Sequence, residues 1–201
     1  MAHNYRSSQK LRFAVSCSSN MNRSMEVHHR MLGKGFNIES FGTGNTVKLP
    51  GPSIDKPNVY EFGTTTYDFI YKDLIKKDRR LYSSNGLLYM LERNRQIKLH
   101  PQKFQRCEKE YDIIICLEER VYDQVLDFLE NRVSQTSERV HVINIDVVDN
   151  PQDATVGAVL VANLCQKLEE SADVDAEMDD ILTEFESKNQ NRNLINTVCF
   201  Y

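Results

Sequence analysis

Cys17 and Arg23 frame five residues, Ser18, Ser19, Asn20, Met21 and Asn22, and Ser24 follows the arginine directly. A loop of that length wraps one phosphate. Its backbone N–H groups bind the non-bridging oxygens while the arginine fork clamps two of them. A thiol at a helix N-terminus beside a cation is acidified, to roughly 3.5–7.5 in reactive cysteines, and is then a thiolate at neutral pH. Such a thiolate attacks phosphorus in line and forms a phosphocysteine, which water hydrolyses. The Ser24 hydroxyl is spaced to hydrogen-bond the thiolate and ease its departure. The loop supplies the positive potential itself, so this chemistry calls for no metal and no cofactor. It does call for a general acid on the leaving oxygen, and that carboxylate must come from elsewhere in the chain.

The flanking pattern is what such a loop needs. Residues Leu11–Ser16 read as a strand, and a helical pattern runs from Arg23 to Leu32, ended by Gly33 and Gly35. Asn37–Phe41 alternates as a second strand, completing a right-handed parallel unit. The cysteine thus sits where a strand ends and a helix N-terminus opens. Gly42–Thr46 is glycine-rich but matches neither nucleotide fingerprint and reads as a turn. Pro50, Pro52 and Pro57 predict a stiff loop rather than an element through Val47–Asn58.

Residues Tyr60–Lys98 form a predicted helical insertion. Tyr67, Ile70, Tyr71, Leu74 and Ile75 recur at helical spacing, as do Leu87, Leu88, Met90 and Leu91, with a break at Ser83–Gly86. A third strand, Tyr111–Leu117, precedes a helix from Glu118 to Arg132, and a fourth covers Val140–Asp146. A helix over Thr155–Glu170 follows, capped by Asp149 or Asp153. An acidic helix, Asp173–Asn189, leads to a final strand at Leu194–Tyr201. Residues 1–10 read as a loose tail and 11–201 as a single domain. In an open parallel sheet, ligands bind beyond the carboxyl ends of the strands. Cys17 follows strand one, while Asp146 and Asp149 follow strand four, so both aspartates are candidates for the general acid. His141 reads as structural; His28 and His29 are assigned no role.

Composition sets outer bounds. With 201 residues, 40% hydrophobic and 27% charged, the chain suits one soluble domain. A net charge of -4 and no basic stripe argue against direct nucleic-acid binding. No apolar run spans a membrane, and the polar start, Met1–Lys10, argues against secretion. The five cysteines, Cys17, Cys107, Cys116, Cys165 and Cys199, show neither zinc spacing nor a C-x-x-C pair, consistent with a reducing compartment. The basic run Lys76–Arg80 reads as a solvated helix face.

These residues resemble a known family: the cysteine phosphatase of the RNA polymerase II C-terminal domain, a component of the pre-mRNA 3′-end machinery. That family is distantly similar to low-molecular-weight tyrosine phosphatases. The resemblance runs from Leu11 to Tyr201. It rests on Cys17–Glu26, Ser40–Gly44, Val47–Pro52, Asp55–Tyr60, Asn85–Leu88, Glu118–Asp123 and the Phe200-Tyr201 ending. It implies an α/β fold: a doubly wound, mainly parallel sheet of low-molecular-weight phosphatase type, with the helical insertion and a C-terminal helix plus strand. It implies a nuclear enzyme that removes phosphate from the fifth-position serine of the heptad Tyr-Ser-Pro-Thr-Ser-Pro-Ser. The following proline is bound cis, an isomer only about 0.5–1 kcal/mol above trans before proline. It also implies a protein partner, the scaffold symplekin.

By position, the resemblance makes Cys17 the nucleophile, Arg23 the clamp, Ser24 the thiolate partner and Asp149 the acid with Asp146 in support. Lys48, Leu49, Pro50, Tyr82 and Met90 match the substrate groove. Asn150 separates Asp149 from Pro151, where tyrosine phosphatases have Asp-Pro directly. The run Thr64-Thr65-Thr66 is one residue longer than is usual in the family. Two other readings compete. One keeps the fold but acts as an interaction subunit docking on the scaffold. The other, an arsenate reductase, needs resolving cysteines that Cys107, Cys116 and Cys165 are not spaced to provide.

Overall fold

Strand β1 (Arg12–Cys17) is buried along almost all its length, as a central parallel strand must be. It leads through the Cys17–Arg23 loop into helix α1 (Arg23–Gly33) and strand β2 (Asn37–Gly42). The computed structural model describes residues 10–133, 136–189 and 193–201; apart from Lys10, the predicted tail lies outside them. Strands β3 (Val47–Leu49) and β4 (Asn58–Tyr60) come next, then helices α2 (Tyr67–Ser84) and α3 (Leu87–Ile97). A short 3-10 turn at Phe104–Arg106 precedes β5 (Ile113–Cys116), α4 (Glu119–Asn131), β6 (Arg139–Ile145), α5 (Pro151–Glu170), α6 (Val174–Lys188) and β7 (Leu194–Phe200).

The sheet order is β2-β1-β5-β6-β7, with the first four strands parallel and β7 antiparallel on β6. The chain winds outward from β1 to β2, then crosses back to place β5 on the other side of β1. The carboxyl end of β1 is therefore the switch point where an open sheet holds its ligand. Period-two alternation divides the core between the faces. Phe13, Val15, Ile113, Ile115 and Ile143 pack beneath α1, α5 and α6. Ala14, Ile114, Cys116, Val140 and Val142 pack against α4.

Two expectations need correction. Val47–Leu49 and Asn58–Tyr60 are not loop; they pair as an antiparallel ribbon, Val47 opposite Tyr60 and Leu49 opposite Asn58. The prolines all fall in the connection between them, and three-residue strands are too short to show an alternation. Helix α5 starts at Pro151, not Thr155, and its cap is Asn150, whose Oδ1 accepts from the Asp153 N–H at 2.8 Å. Asn150 is thus the residue that frees Asp149 from capping.

The insertion is a helical hairpin with its own apolar cluster, which includes Met21 and Met25 from the loop and α1. The threonine run is absorbed in its approach: Thr65 Oγ1 accepts from Glu61 N–H, and Thr66 Oγ1 caps α2 through Phe69 N–H. Helix α2 breaks at Asp78 (φ -164, ψ 92), whose carboxylate accepts from Leu81 N–H and restarts the helix. The Lys76–Arg80 run is exposed, as expected of a solvated face. His141 is structural: its Nε2 meets Asp175 of α6 at 2.9 Å. No described helix is long and apolar enough to cross a membrane.

Helix α5 can approach the end of β6 because position 157 is glycine. A Cβ there would lie 2.7 Å from both Val147 methyl carbons. Gly157→Ala is expected to destabilise the fold by about 1–3 kcal/mol, outweighing a helix-propensity gain of about 1 kcal/mol. Urea unfolding measures this, and an unchanged or raised midpoint would refute the packing argument.

Candidate active site

The Cys17–Arg23 loop turns sharply at Asn20, whose φ of 53° lies in the left-handed region that asparagine tolerates better than most residues. The loop's carbonyls are turned outward onto donors. Cys17 and Ser18 carbonyls accept from the N–H groups of Thr43 and Gly44, and the Asn20 carbonyl accepts from the Tyr67 hydroxyl at 2.6 Å. None of the described hydrogen bonds uses the N–H of Ser18, Ser19, Asn20, Met21 or Asn22. This polarity, carbonyls out and N–H groups uncommitted, is that of an anion nest. Gly44 serves it by proximity: a Cβ would sit 2.9 Å from the Ser18 carbonyl oxygen. The segment expected to be a plain turn is therefore a backing strap for the loop.

Behind the loop runs a buried polar chain. Asn20 Oδ1 accepts from Gln102 N–H at 3.0 Å, which fixes the amide orientation. Its Nδ2 then donates to Ser24 Oγ at 3.0 Å and to Ser40 Oγ at 3.1 Å. Ser24 Oγ lies 3.1 Å from Cys17 Sγ. Because Ser24 already accepts from Asn20, its own proton is available to the sulfur. Ser40 Oγ also lies 2.8 Å from His28 Nδ1 and 3.2 Å from Met25 Sδ. Burial pushes the His28 pKa down to about 4, with Lys98 adding to the effect. Lys98 itself donates to the Ser40 carbonyl and Gln102 Oε1, and burial brings its pKa down to about 7.

Arg23 is 3% exposed. Its Nη1 donates to the carbonyls of Leu117 (3.2 Å) and Val147 (3.0 Å), tying it to the ends of β5 and β6. Its Nη2 pairs with Glu118 at 2.6 Å and Asp149 at 3.4 Å. Its Nε is buried with no described partner, and Arg23 is not among the residues that line the cleft beside Cys17. Burial acts to lower the Arg23 pKa, but Cys17, Asp149 and Glu118 outweigh it and hold the pKa above its ordinary value. Burial likewise works to raise the Glu118 carboxyl, yet Arg23 and the Ser18 hydroxyl, which donates at 2.8 Å, hold it below the usual range.

The sulfur opens into a cleft of about 240 Å³ lined by Ser19, Met21, Asn22, Lys48, Leu49, Pro50, Met90 and Asp149, among others. Asp149 is placed there by Asn22, whose Nδ2 donates to its Oδ1 at 2.9 Å. Asp146 is not among the lining residues; it is exposed, and its Oδ1 accepts from Asn144 Nδ2 at 3.1 Å. Of the groove residues, Lys48, Leu49, Pro50 and Met90 line the cleft. Tyr82 does not: its ring is 1% exposed and its hydroxyl accepts from Asn58 Nδ2, bracing β4 from behind. Of the five cysteines, only Cys17 lines the cleft. Sequence reasoning missed Glu118, Ser40, His28, Tyr67 and Lys98 as parts of the candidate site; only Glu118, two residues past the end of β5, carried a positional signal.

The family model for Ssu72-like proteins matches residues 11–201, nearly the whole chain. The chain belongs to the Ssu72 family. It is 60% identical over 194 residues to the RNA polymerase II C-terminal domain phosphatase ssup-72 of Caenorhabditis elegans, covering 96% of this chain and 98% of that one. Identity to the human phosphatase SSU72 is 52%, covering 96% and 99% of the two chains. Among solved structures, Ssu72 of Drosophila melanogaster superposes with a TM-score of 0.93 at 50% identity, covering 96% and 100%. A second Drosophila structure holds Ssu72 with symplekin and a cis peptidomimetic of the polymerase C-terminal domain phosphorylated at its fifth-position serine. It matches with a TM-score of 0.92 at 48% identity, covering 96% and 99%. The expected α/β fold, mainly parallel and doubly wound, is the one observed.

His28 predicts a pH dependence. Its folded pKa of about 4 lies below the ordinary 6.5, so the unfolded chain binds the extra proton first. Its contribution is complete above about pH 6.5 and is lost as pH falls toward 4, with a slope of up to about 1.4 kcal/mol per pH unit. Urea unfolding of wild type and His28→Gln across that window should show a flatter profile for the variant. Parallel profiles would contradict a neutral, buried His28.

Proposed function

We propose that this chain is a protein phosphatase acting on the fifth-position phosphoserine of the RNA polymerase II C-terminal domain, through a cysteinyl-phosphate intermediate and without a metal ion. The observation that carries the mechanism is the juxtaposition at one sheet edge of Cys17 Sγ on Ser24 Oγ, the unpartnered Nε of Arg23 and the Asp149 carboxylate. The near full-length identity to named phosphatases supports the substrate.

The phosphoryl group enters the nest of N–H groups from Ser18 to Asn22; Arg23 offers its Nε to one oxygen and, as its longer contact to Asp149 gives way, Nη2 to a second. The Cys17 thiolate attacks phosphorus opposite the serine oxygen. The P–O bond breaks as the S–P bond forms, and Asp149 gives its proton to the departing serine oxygen. Asp149, now a carboxylate, takes a proton from water as that water attacks phosphorus. Inorganic phosphate leaves, and the Ser24 hydroxyl stabilises the returning thiolate. Asp146, outside the cleft and bonded to Asn144, is given no step in this reaction. Leu49, Pro50 and Met90 offer an apolar wall for the proline that follows the phosphoserine, and Lys48 lies within reach of flanking phosphate or carboxylate charge. The Drosophila complex supports a cis proline there and symplekin as a partner of this chain as well. Such a substrate places the enzyme in the nucleus, with no direct contact to nucleic acid and no membrane association. The docking-only alternative is not favoured, since the relatives that match over nearly the whole chain are named phosphatases.

Phosphate release from a heptad peptide phosphorylated at the fifth position, with chelator present, tests this. Wild type should be active, Cys17→Ser inactive, and Asp149→Asn slower by roughly 100-fold or more. An inactive wild type, even with symplekin added, would overturn the reading; turnover by Cys17→Ser would overturn the nucleophile.

A further inference from the structure

Side chains hold the loop carbonyls nearest Arg23: among the described bonds the Met21 carbonyl rests on them alone, while the Asn22 carbonyl also accepts from the Glu26 N–H of α1 at 2.9 Å. Arg93 Nη2 donates to the Met21 carbonyl at 3.0 Å and to the Asn22 carbonyl at 3.3 Å. Asn94 Nδ2 donates to the same Met21 oxygen at 2.8 Å. Asn94 Oδ1 in turn accepts from Arg93 Nε (3.0 Å) and Nη2 (2.8 Å), which fixes the plane of the guanidinium. The remaining nitrogen, Nη1, pairs with Glu26 of α1. Asn94 is fully buried, and the Arg93 side chain is 10% exposed. Among the described bonds, the Met21 carbonyl has no main-chain donor at all.

The same stretch of α3 faces the substrate. Leu87, Tyr89, Met90 and Arg93 line the cleft that holds Cys17. One short helix therefore forms the cleft wall with its first turns and grips the phosphate loop with its later ones. A buried carbonyl without a donor is costly, so removing these side chains leaves the loop two ways to relax. It can rotate the Met21 peptide toward water, or admit water behind it. Either turns N–H groups away from the phosphate position.

Building on the phosphatase reading, we propose that Arg93 and Asn94 are positioning residues of the phosphate loop. They hold the Met21–Asn22 peptide unit with its N–H group facing the phosphate, and they join groove wall and loop into one unit. A planar fork is needed, because one guanidinium reaches both carbonyls and Glu26 together, where an ammonium is a single point.

The experiment measures two things in wild type, Arg93→Ala, Arg93→Lys and Asn94→Ala. One is protection of Cys17 from iodoacetamide by inorganic phosphate; the other is turnover of para-nitrophenyl phosphate, which does not fill the peptide groove. Circular dichroism and urea unfolding establish that each variant is folded. Arg93→Ala should need up to about 100-fold more phosphate for half-protection, with a parallel loss in kcat/KM. Arg93→Lys should not restore either. Asn94→Ala removes one donor and should cost about tenfold; it carries the test if Arg93→Ala does not fold. Folded variants protected at wild-type phosphate concentrations would overturn the proposal. So would full rescue by Arg93→Lys, which would reduce Arg93 to a charge partner of Glu26. Failure of the wild type to bind phosphate would instead overturn the phosphatase reading on which the proposal rests.

Discussion

A phosphate site built from backbone N–H groups imposes a constraint on the other side of each peptide: the carbonyls must face the protein, and buried carbonyls need donors. Most of what surrounds the Cys17–Arg23 loop answers that requirement. The segment after β2 supplies Thr43 and Gly44 N–H groups, and α2 supplies the Tyr67 hydroxyl. The Asn20 side chain, held by Gln102, bridges the turn from inside. These donors come from segments distant in sequence, so the loop keeps its shape only when the whole sheet edge and the insertion are folded. That makes the nest preorganised and able to act without rearrangement during the reaction.

Arginine placement follows the same logic. Arg23 is desolvated, and burial by itself works against its charge. Two carbonyls at the ends of β5 and β6, with Glu118 and Asp149, fix its orientation and keep it cationic. The Asp149 contact is the longer and the more exposed, with 56% of that side chain accessible. Glu118, closer and less exposed, therefore does more of the anchoring than Asp149.

The sequence reveals the candidate reacting groups more clearly than the framework that shapes them. Cys17, Arg23 and Ser24 stand out because a fixed spacing between a strand and a helix is visible in one dimension. Asp149 follows from topology, since parallel strands bring their carboxyl ends to one edge. The helices and long strands follow from periodicity. The ribbon of β3 and β4 did not, because three residues show no alternation and the prolines beside them suggested loop. The Asn150 cap was passed over for the aspartates on either side of it, although all three residue types cap well. The wiring behind the loop was invisible for another reason: Asn20, Ser40, His28 and Gln102 make single hydrogen bonds between segments as much as 82 positions apart, and no pattern within a segment records that. Tyr82 shows the limit of positional matching. It sits next to groove residues in space, yet its hydroxyl bonds Asn58 and its ring is enclosed, so it acts on the groove only through β4.

The helical insertion is the part of the chain most easily mistaken for an accessory. Its apolar cluster takes in Met21 and Met25, so it has no core that closes without the loop and α1. Conversely, the loop depends on the insertion for the Tyr67 bond to Asn20. Each completes the other's packing and hydrogen bonding, and neither is a unit by itself. This has a consequence for specificity. On the proposed function, a peptide that presses on Leu49, Pro50 and Met90 presses on elements that also support the Cys17–Arg23 loop, so substrate shape would be read by the same structure that holds the phosphate. Binding energy gained in the groove can then be expressed at the phosphorus centre, which is the condition for a remote contact to raise turnover rather than affinity alone.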